Sequence, residues 1–179
     1  MKSIDIVITG LGGQGVLSAG KVIGEVALMA GYDVKITAIR GMAQRGEGVL
    51  SQIRIGKKIF SPLISEGKGD ILLGFELLEV ANNEHLIKKE GLLIFFDRLT
   101  PFKKTTDLSL KIAHKNKLEF SYKKTLERLP NEKNINLFML GVVSKYLTFK
   151  KELWIESIKI NFSGKKLQDN LFTFEYGYT

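Results

Sequence analysis

The 179-residue sequence predicts a single α/β domain: a mostly parallel sheet with helices on both faces and one β-hairpin. Three observations predict it. Short apolar runs at residues 4–8, 70–75 and 91–96 read as strands buried on both faces. Helical periodicities follow the first two of them, and this alternation is the mark of a parallel sheet. Between the first strand and the first helix stands Gly10-Leu11-Gly12-Gly13-Gln14-Gly15. Its G-x-G-x-x-G spacing serves a tight turn, close backbone approach to a ligand and helix-on-strand packing. The arrangement is Rossmann-like.

Taken in order, residues 4–8 enter the glycine loop, and Val16, Ala19, Ile23, Val26, Ala27 and Ala30 then recur at helical steps. Gly31 closes that helix, and residues 34–39 form a second strand, so 4–39 reads as a βαβ unit with a right-handed crossover. The free N–H groups and dipole at the helix start make an anion site. A dinucleotide site would want an acid at the C-terminal end of the second strand. Ala38, Ile39 and Arg40 stand there instead, while Asp33 precedes the strand at the opposite edge. Residues 40–48, Arg40-Gly41-Met42-Ala43-Gln44-Arg45-Gly46-Glu47-Gly48, form a polar loop at the same edge as the glycine loop. Gln44 and Arg45 are its ligand candidates, the arginine fork suiting phosphate or carboxylate.

Residues 49–55 alternate apolar and polar, and Gly56-Lys57-Lys58 would turn them into Ile59-Phe60, a hairpin with one wet face. The strand at 70–75 leads into a helix from Glu76, with acids in its first turn, and the strand at 91–96 ends at Asp97. Residues 110–113 and 118–122 read as edge strands or extended connections. A strongly apolar helix spans 136–147, in which Gly141 allows close approach to a neighbour. Another spans 153–160, with Trp154 as a packing residue. The tail at 170–177 is aromatic and docks on the body or on a partner. His85 and His114 are isolated and read as surface residues.

Composition limits the chemistry. With no cysteine, the chain has no disulfide, no zinc–thiolate site and no iron–sulfur cluster on its own thiolates. Two histidines and no cysteine leave no legible nucleophilic triad, and no Lys-Ser/Thr follows the glycine loop as a Walker A motif would require. No catalytic residue is assigned to this chain, and no metal site. There is no signal-peptide layout or bilayer-length apolar run, so a cytoplasmic location is expected and no membrane. The net charge of +8 is uneven: residues 101–179 hold 15 Lys and Arg against 8 Asp and Glu, while residues 1–100 are nearly balanced. Scattered lysine pairs such as Lys103-Lys104 and Lys123-Lys124 read as solvated surface rather than as a stripe for nucleic acid.

Three stretches together resemble the small subunit of 2-oxoacid:ferredoxin oxidoreductases. They are residues 10–16 with the doubled glycine and Gln14; residues 41–46 with the 51–54 strand and Ser61-Pro62; and residues 70–79 with their Gly-Phe-Glu-Leu-Leu-Glu core. Residues 136–141 and 170–177 resemble the family's closing elements. The form Gly41-Met42-Ala43-Gln44-Arg45-Gly46 is most similar to the indolepyruvate branch, whose beta subunit corresponds to the gamma subunit of the pyruvate enzymes. The resemblance implies one gamma-type domain over 1–179, acting within a hetero-oligomer. Thiamine diphosphate and iron–sulfur clusters would lie on a large partner subunit, electrons would pass to ferredoxin, and coenzyme A would take the acyl group. It further implies a ligand-phosphate or subunit contact for Gly10, Gly12, Gly13, Gln14 and Gly15, with Gln44 and Arg45 facing the same crevice and coenzyme A as the candidate ligand. One departure is Glu47, which stands between Gly46 and Gly48 where the family usually has a second glycine. The alternative reading is a free-standing Rossmann-like nucleotide-binding protein.

Overall fold

A computed structural model describes residues 3–40, 47–100 and 112–179. Six strands form one sheet in the order β2-β3-β1-β4-β5-β6. Strands β1 (Ile4–Leu11), β4 (Gly69–Gly74), β5 (Ile87–Phe96) and β6 (Lys117–Phe120) run parallel, each hydrogen-bonded to the next. Strand β3 (Gly48–Gly56) is antiparallel to both of its neighbours, β1 and β2 (Asp33–Arg40). The sheet is therefore mostly parallel, as expected.

The alternation of side chains sorts the core into two layers. Ile6, Ile8, Ile53, Ile71, Leu73, Ile94 and Phe96 face helices α1 (Val16–Met29), α4 (Ile135–Ser144) and α5 (Lys151–Asn161). Val7, Leu72, Leu93 and Phe95 face a thinner layer made by α2 (Leu77–Asn83) with Ile64, Leu86 and Ile112. The short α3 (Tyr122–Leu126) follows β6. Helix α6 (Lys165–Tyr178) contains the aromatic tail and packs on α4, so the tail docks on the body. There Gly141 and Gly177 bring the two backbones together. A Cβ on Gly141 would lie 2.1 Å from Phe174 O, and one on Gly177 would lie 2.1 Å from Phe138 O. Trp154 is fully buried, stacked at 6.1 Å on Phe174.

The βαβ reading holds as a split unit: β2 runs parallel to β1, with β3 inserted between them and antiparallel to both. Two expectations are corrected. The hairpin is β2–β3 and not a pair made with Ile59-Phe60, which form no strand. Nor is one face of β3 wet. Its polar side chains are internal and partnered: Ser51 Oγ donates to Thr37 O at 3.3 Å, Gln52 Oε1 accepts from Ile64 N at 2.7 Å, and Arg54 pairs with Asp5 at 3.0 Å. Satisfying each polar group is what permits this alternating sequence in a central strand. Asp33, at the edge away from the glycine loop, accepts from Ile59 N at 2.7 Å and from Lys35, which holds its carboxyl below the usual range. His114 is also more enclosed than expected, with Nε2 at 2.8 Å from Gly91 O.

Candidate functional site

Strands β1, β4 and β5 are parallel, so the loops after them meet at one edge, where ligands bind in open α/β sheets. Behind β1 the chain turns through Gly12 and Gly13 into α1. Gly12 N donates to Glu47 O at 2.9 Å and Gln14 N to Leu11 O at 3.1 Å. Gly13 and Gly15 hold φ of 97° and 87°, which side-chain-bearing residues rarely adopt. Gly15 is the N-cap of α1 and offers no side-chain cap, so the N–H groups of the first turn have no intrahelical partner. A Cβ on Gly15 would also stand 2.8 Å from Asn136 Nδ2. Asn136 is buried, and its Oδ1 has no hydrogen-bond partner among the described residues.

A pocket of about 400 Å³ opens in front of this loop. Leu11, Gly12, Gly13 and Gln14 form one wall; Glu132, Lys133 and Ile135, from a single 3-10 turn and the start of α4, form another, with Arg98 and Thr100 between. A chain of polar contacts runs behind these walls. Gln14 Oε1 accepts from Leu11 N at 2.7 Å while its Nε2 donates to Glu76 Oε2 at 3.0 Å. Glu76, only 1% exposed, also accepts from Thr100 N and from Thr100 Oγ1 at 2.9 Å, and lies 3.4 Å from Arg98 Nε. Arg98 continues to Tyr122 Oη at 2.6 Å and to Glu132 Oε1 at 3.3 Å, its guanidinium 4.4 Å from the Tyr122 ring centroid. Tyr122 donates to Glu132. Burial, and then that hydrogen bond, push the phenol well above its usual range, so it stays a donor at any physiological pH. Glu79, in the first turn of α2, is raised by partial burial, with Asn82 opposing and the Glu76 charge adding.

The sequence-derived residues divide accordingly. Gly12, Gly13 and Gln14 line the pocket; Gly10 lies within β1 and Gly15 caps α1. Both ends of the Gln14 amide are committed to Leu11 and Glu76, so this side chain braces the loop from within. Gln44 and Arg45 lie outside the described residues. Glu47 is tied to the loop by its carbonyl. Sequence reasoning missed Glu76 as a site residue, reading it as a helix-dipole acid, and also missed Arg98, Thr100, Tyr122, Glu132, Lys133 and Asn136. Examining every strand end at that edge would have found Glu76 and Arg98, which follow β4 and β5 within a few residues.

A covered, mostly parallel sheet with a glycine loop at its C-terminal edge defines a Rossmann-like α/β class. Within it, the chain belongs to the Pyruvate ferredoxin/flavodoxin oxidoreductase family, which matches residues 5–179, and is of the small-subunit type of 2-oxoacid:ferredoxin oxidoreductase. The indolepyruvate oxidoreductase subunit IorB of Thermococcus kodakarensis is 32% identical over 192 residues, covering 99% of this chain and 95% of that one. The IorB of Pyrococcus horikoshii is 41% identical over 101 residues, 56% of this chain and 50% of that protein. Among solved structures, the pyruvate oxidoreductase subunit PORC of Thermotoga maritima superposes with a TM-score of 0.77 at 19% identity, over 99% of this chain and 96% of that one. The 2-oxoglutarate:ferredoxin oxidoreductase of Magnetococcus marinus, solved with 2-oxoglutarate, coenzyme A and succinyl-CoA bound, superposes at 0.78 with 18% identity. It matches 99% of this chain, which spans 30% of that longer one.

Proposed function

We propose that residues 1–179 act as one gamma-type domain, the small subunit of an arylpyruvate (indolepyruvate-type) ferredoxin oxidoreductase in the cytoplasm. The large partner carries the thiamine diphosphate and iron–sulfur clusters and passes electrons to ferredoxin. Since the chain has no cysteine, thiolate-held clusters belong on another chain. The full-length likeness to an IorB subunit supports the aryl-acid branch.

This chain's own contribution is a contact to the phosphate-bearing part of coenzyme A. The observation that carries it is the pocket. The glycine-loop residues Gly12, Gly13 and Gln14, just before the start of α1, and the exposed Lys133 border a space of about 400 Å³, enough for part of such a ligand. Arg98 adds shape more than charge, because Glu76 and Glu132 flank it. The glycine loop binds and orients; it performs no bond-making step. Coenzyme A is the acyl acceptor when bound.

The test is to purify the tagged chain anaerobically with whatever accompanies it, and to assay the complex with arylpyruvates, pyruvate and 2-oxoglutarate. A stoichiometric large subunit with thiamine diphosphate and iron, fastest on arylpyruvates, is expected. In that complex Lys133→Ala and Arg45→Ala should each raise KM for coenzyme A about tenfold, the worth of one charge-assisted contact, with kcat little changed. Lost activity at unchanged coenzyme A affinity would remove the contact, and a lone monomer would remove the complex.

A further inference from the structure

We infer that Glu76 is the positioning residue of this site, a buried carboxylate that sets where the glycine loop stands relative to the 98–100 wall. The two walls come from segments far apart in sequence, and no backbone hydrogen bond between the loop and residues 98–100 appears among those described. Backbone bonds hold the residues on either side of Glu76, Phe75 N to Thr9 O at 2.9 Å and Leu77 N to Arg98 O at 2.8 Å, and among the described side chains Glu76 is the one that bridges the loop to the 98–100 wall. Glu76 Oε2 takes Gln14 Nε2 at 3.0 Å and Thr100 Oγ1 at 2.9 Å, with Arg98 Nε at 3.4 Å; Oε1 takes Thr100 N. Gln14 passes the constraint on, because its Oε1 accepts Leu11 N at 2.7 Å, at the last residue of β1.

A carboxylate suits this task for a reason of valence. It presents two acceptor oxygens and no donor, and every group facing it is a donor. A carboxamide has one acceptor oxygen. Glutamine at position 76 could therefore serve Thr100 N, or the group formed by Gln14, Thr100 Oγ1 and Arg98, but not both; its NH₂ would face the Thr100 N–H in one orientation and Gln14 Nε2 with Arg98 Nε in the other, where only the Thr100 hydroxyl can turn to accept. Alanine would serve neither. Burial to 1% exposure makes each unmet donor costly, so the network forms completely or the loop shifts.

The coenzyme A reading above underlies only the kinetic part of the test. Amide hydrogen exchange on the full-length chain, followed residue by residue, reads the anchor directly. In Glu76→Ala the amides of Leu11 and Thr100 should both exchange about tenfold faster than in the wild type, while those of α4 stay unchanged. Unchanged exchange at Leu11 overturns the inference. Should Glu76→Ala fail to fold, Glu76→Gln decides: one of the two amides should accelerate and the other hold, and acceleration of both or of neither overturns it. In the assembled complex, Glu76→Gln should raise KM for coenzyme A several-fold at nearly constant kcat, which general destabilisation would not produce. Selective acceleration of one amide with KM unmoved keeps Glu76 as the anchor and overturns the coenzyme A contact.

Discussion

Glycine closes two parts of this molecule for opposite reasons. At the glycine loop it supplies a backbone conformation: Gly13 and Gly15 have positive φ, and the turn they make brings Gly12 and Gly13 to the wall of a pocket. At the α4–α6 crossing it supplies space, because Gly141 and Gly177 sit within regular helix and their missing side chains let backbone touch backbone. The first region is polar and held by hydrogen bonds from distant segments. The second is apolar and aromatic, with Phe138, Phe174, Tyr176 and Tyr178 in ring contact around it. The first region borders an open pocket, and the second is closed by contact of backbone with backbone.

That contrast sets the order of mutational effects by what an added methyl group would meet. At Gly177 it meets Phe138 O at 2.1 Å, a backbone atom that no rotamer change can move. Gly177→Ala should therefore part α6 from α4 and cost about 3 kcal/mol, at the upper end of overpacking effects. Urea unfolding would show it as a lower midpoint at unchanged slope. A loss under about 0.5 kcal/mol would mean the crossing is looser than the structure has it.

In the loop the same substitution meets different obstacles. At Gly15 the methyl meets the Asn136 side chain at 2.8 Å and must also adopt a φ of 87°. Gly15→Ala should cost about 2 kcal/mol, combining backbone strain with crowding. At Gly13 the φ of 97° is equally awkward but nothing lies within 4 Å, so Gly13→Ala should cost about 1 kcal/mol from backbone alone. Thermal unfolding of the two variants side by side isolates the part due to Asn136. Equal losses would mean that Asn136 yields freely. A larger loss at Gly13 would break the comparison.

Much of the fold was legible because its signals are local. The apolar runs gave β1, β4 and β5; three- and four-residue steps gave α1, α4 and α5; the glycine spacing marked the turn after β1 that lines the pocket. The parts that misled are those decided by distant partners. Strand β3 alternates apolar and polar residues, so it reads as a half-wet hairpin. Its polar groups are satisfied instead by Thr37 O, Ile64 N and Asp5, which lie outside the strand, and this allows it to stand between β1 and β2. The aromatic tail carries a helix whose purpose is clear only once Gly177 meets Phe138 O. Glu76 looked like any acid at a helix start, since three of the donors that define it, on Gln14, Arg98 and Thr100, lie 22 to 62 residues away.

The smallest expected effect concerns the neighbour of Glu76 on α2. Glu79 is half-buried and accepts a long bond from Asn82 at 3.5 Å, in contrast to the short donors gathered on Glu76. Partial burial, with the Glu76 charge adding, raises its carboxyl above the ordinary value of 4.5. A raised carboxyl means that the folded chain binds the proton more tightly than the unfolded chain does. Between 4.5 and the raised value, stability therefore falls as pH rises, and above it the cost is fully present. Glu79→Gln removes the titration while keeping the shape. The variant should be slightly more stable than the wild type at pH 7, and its advantage should shrink as pH falls and vanish near pH 4. Urea unfolding of both proteins across that range cancels the groups they share. An advantage that stayed constant with pH would show that charge at Glu79 costs the fold nothing. The polar end of the molecule would then tolerate an under-donated carboxylate as readily as the pocket's own acid is held in place.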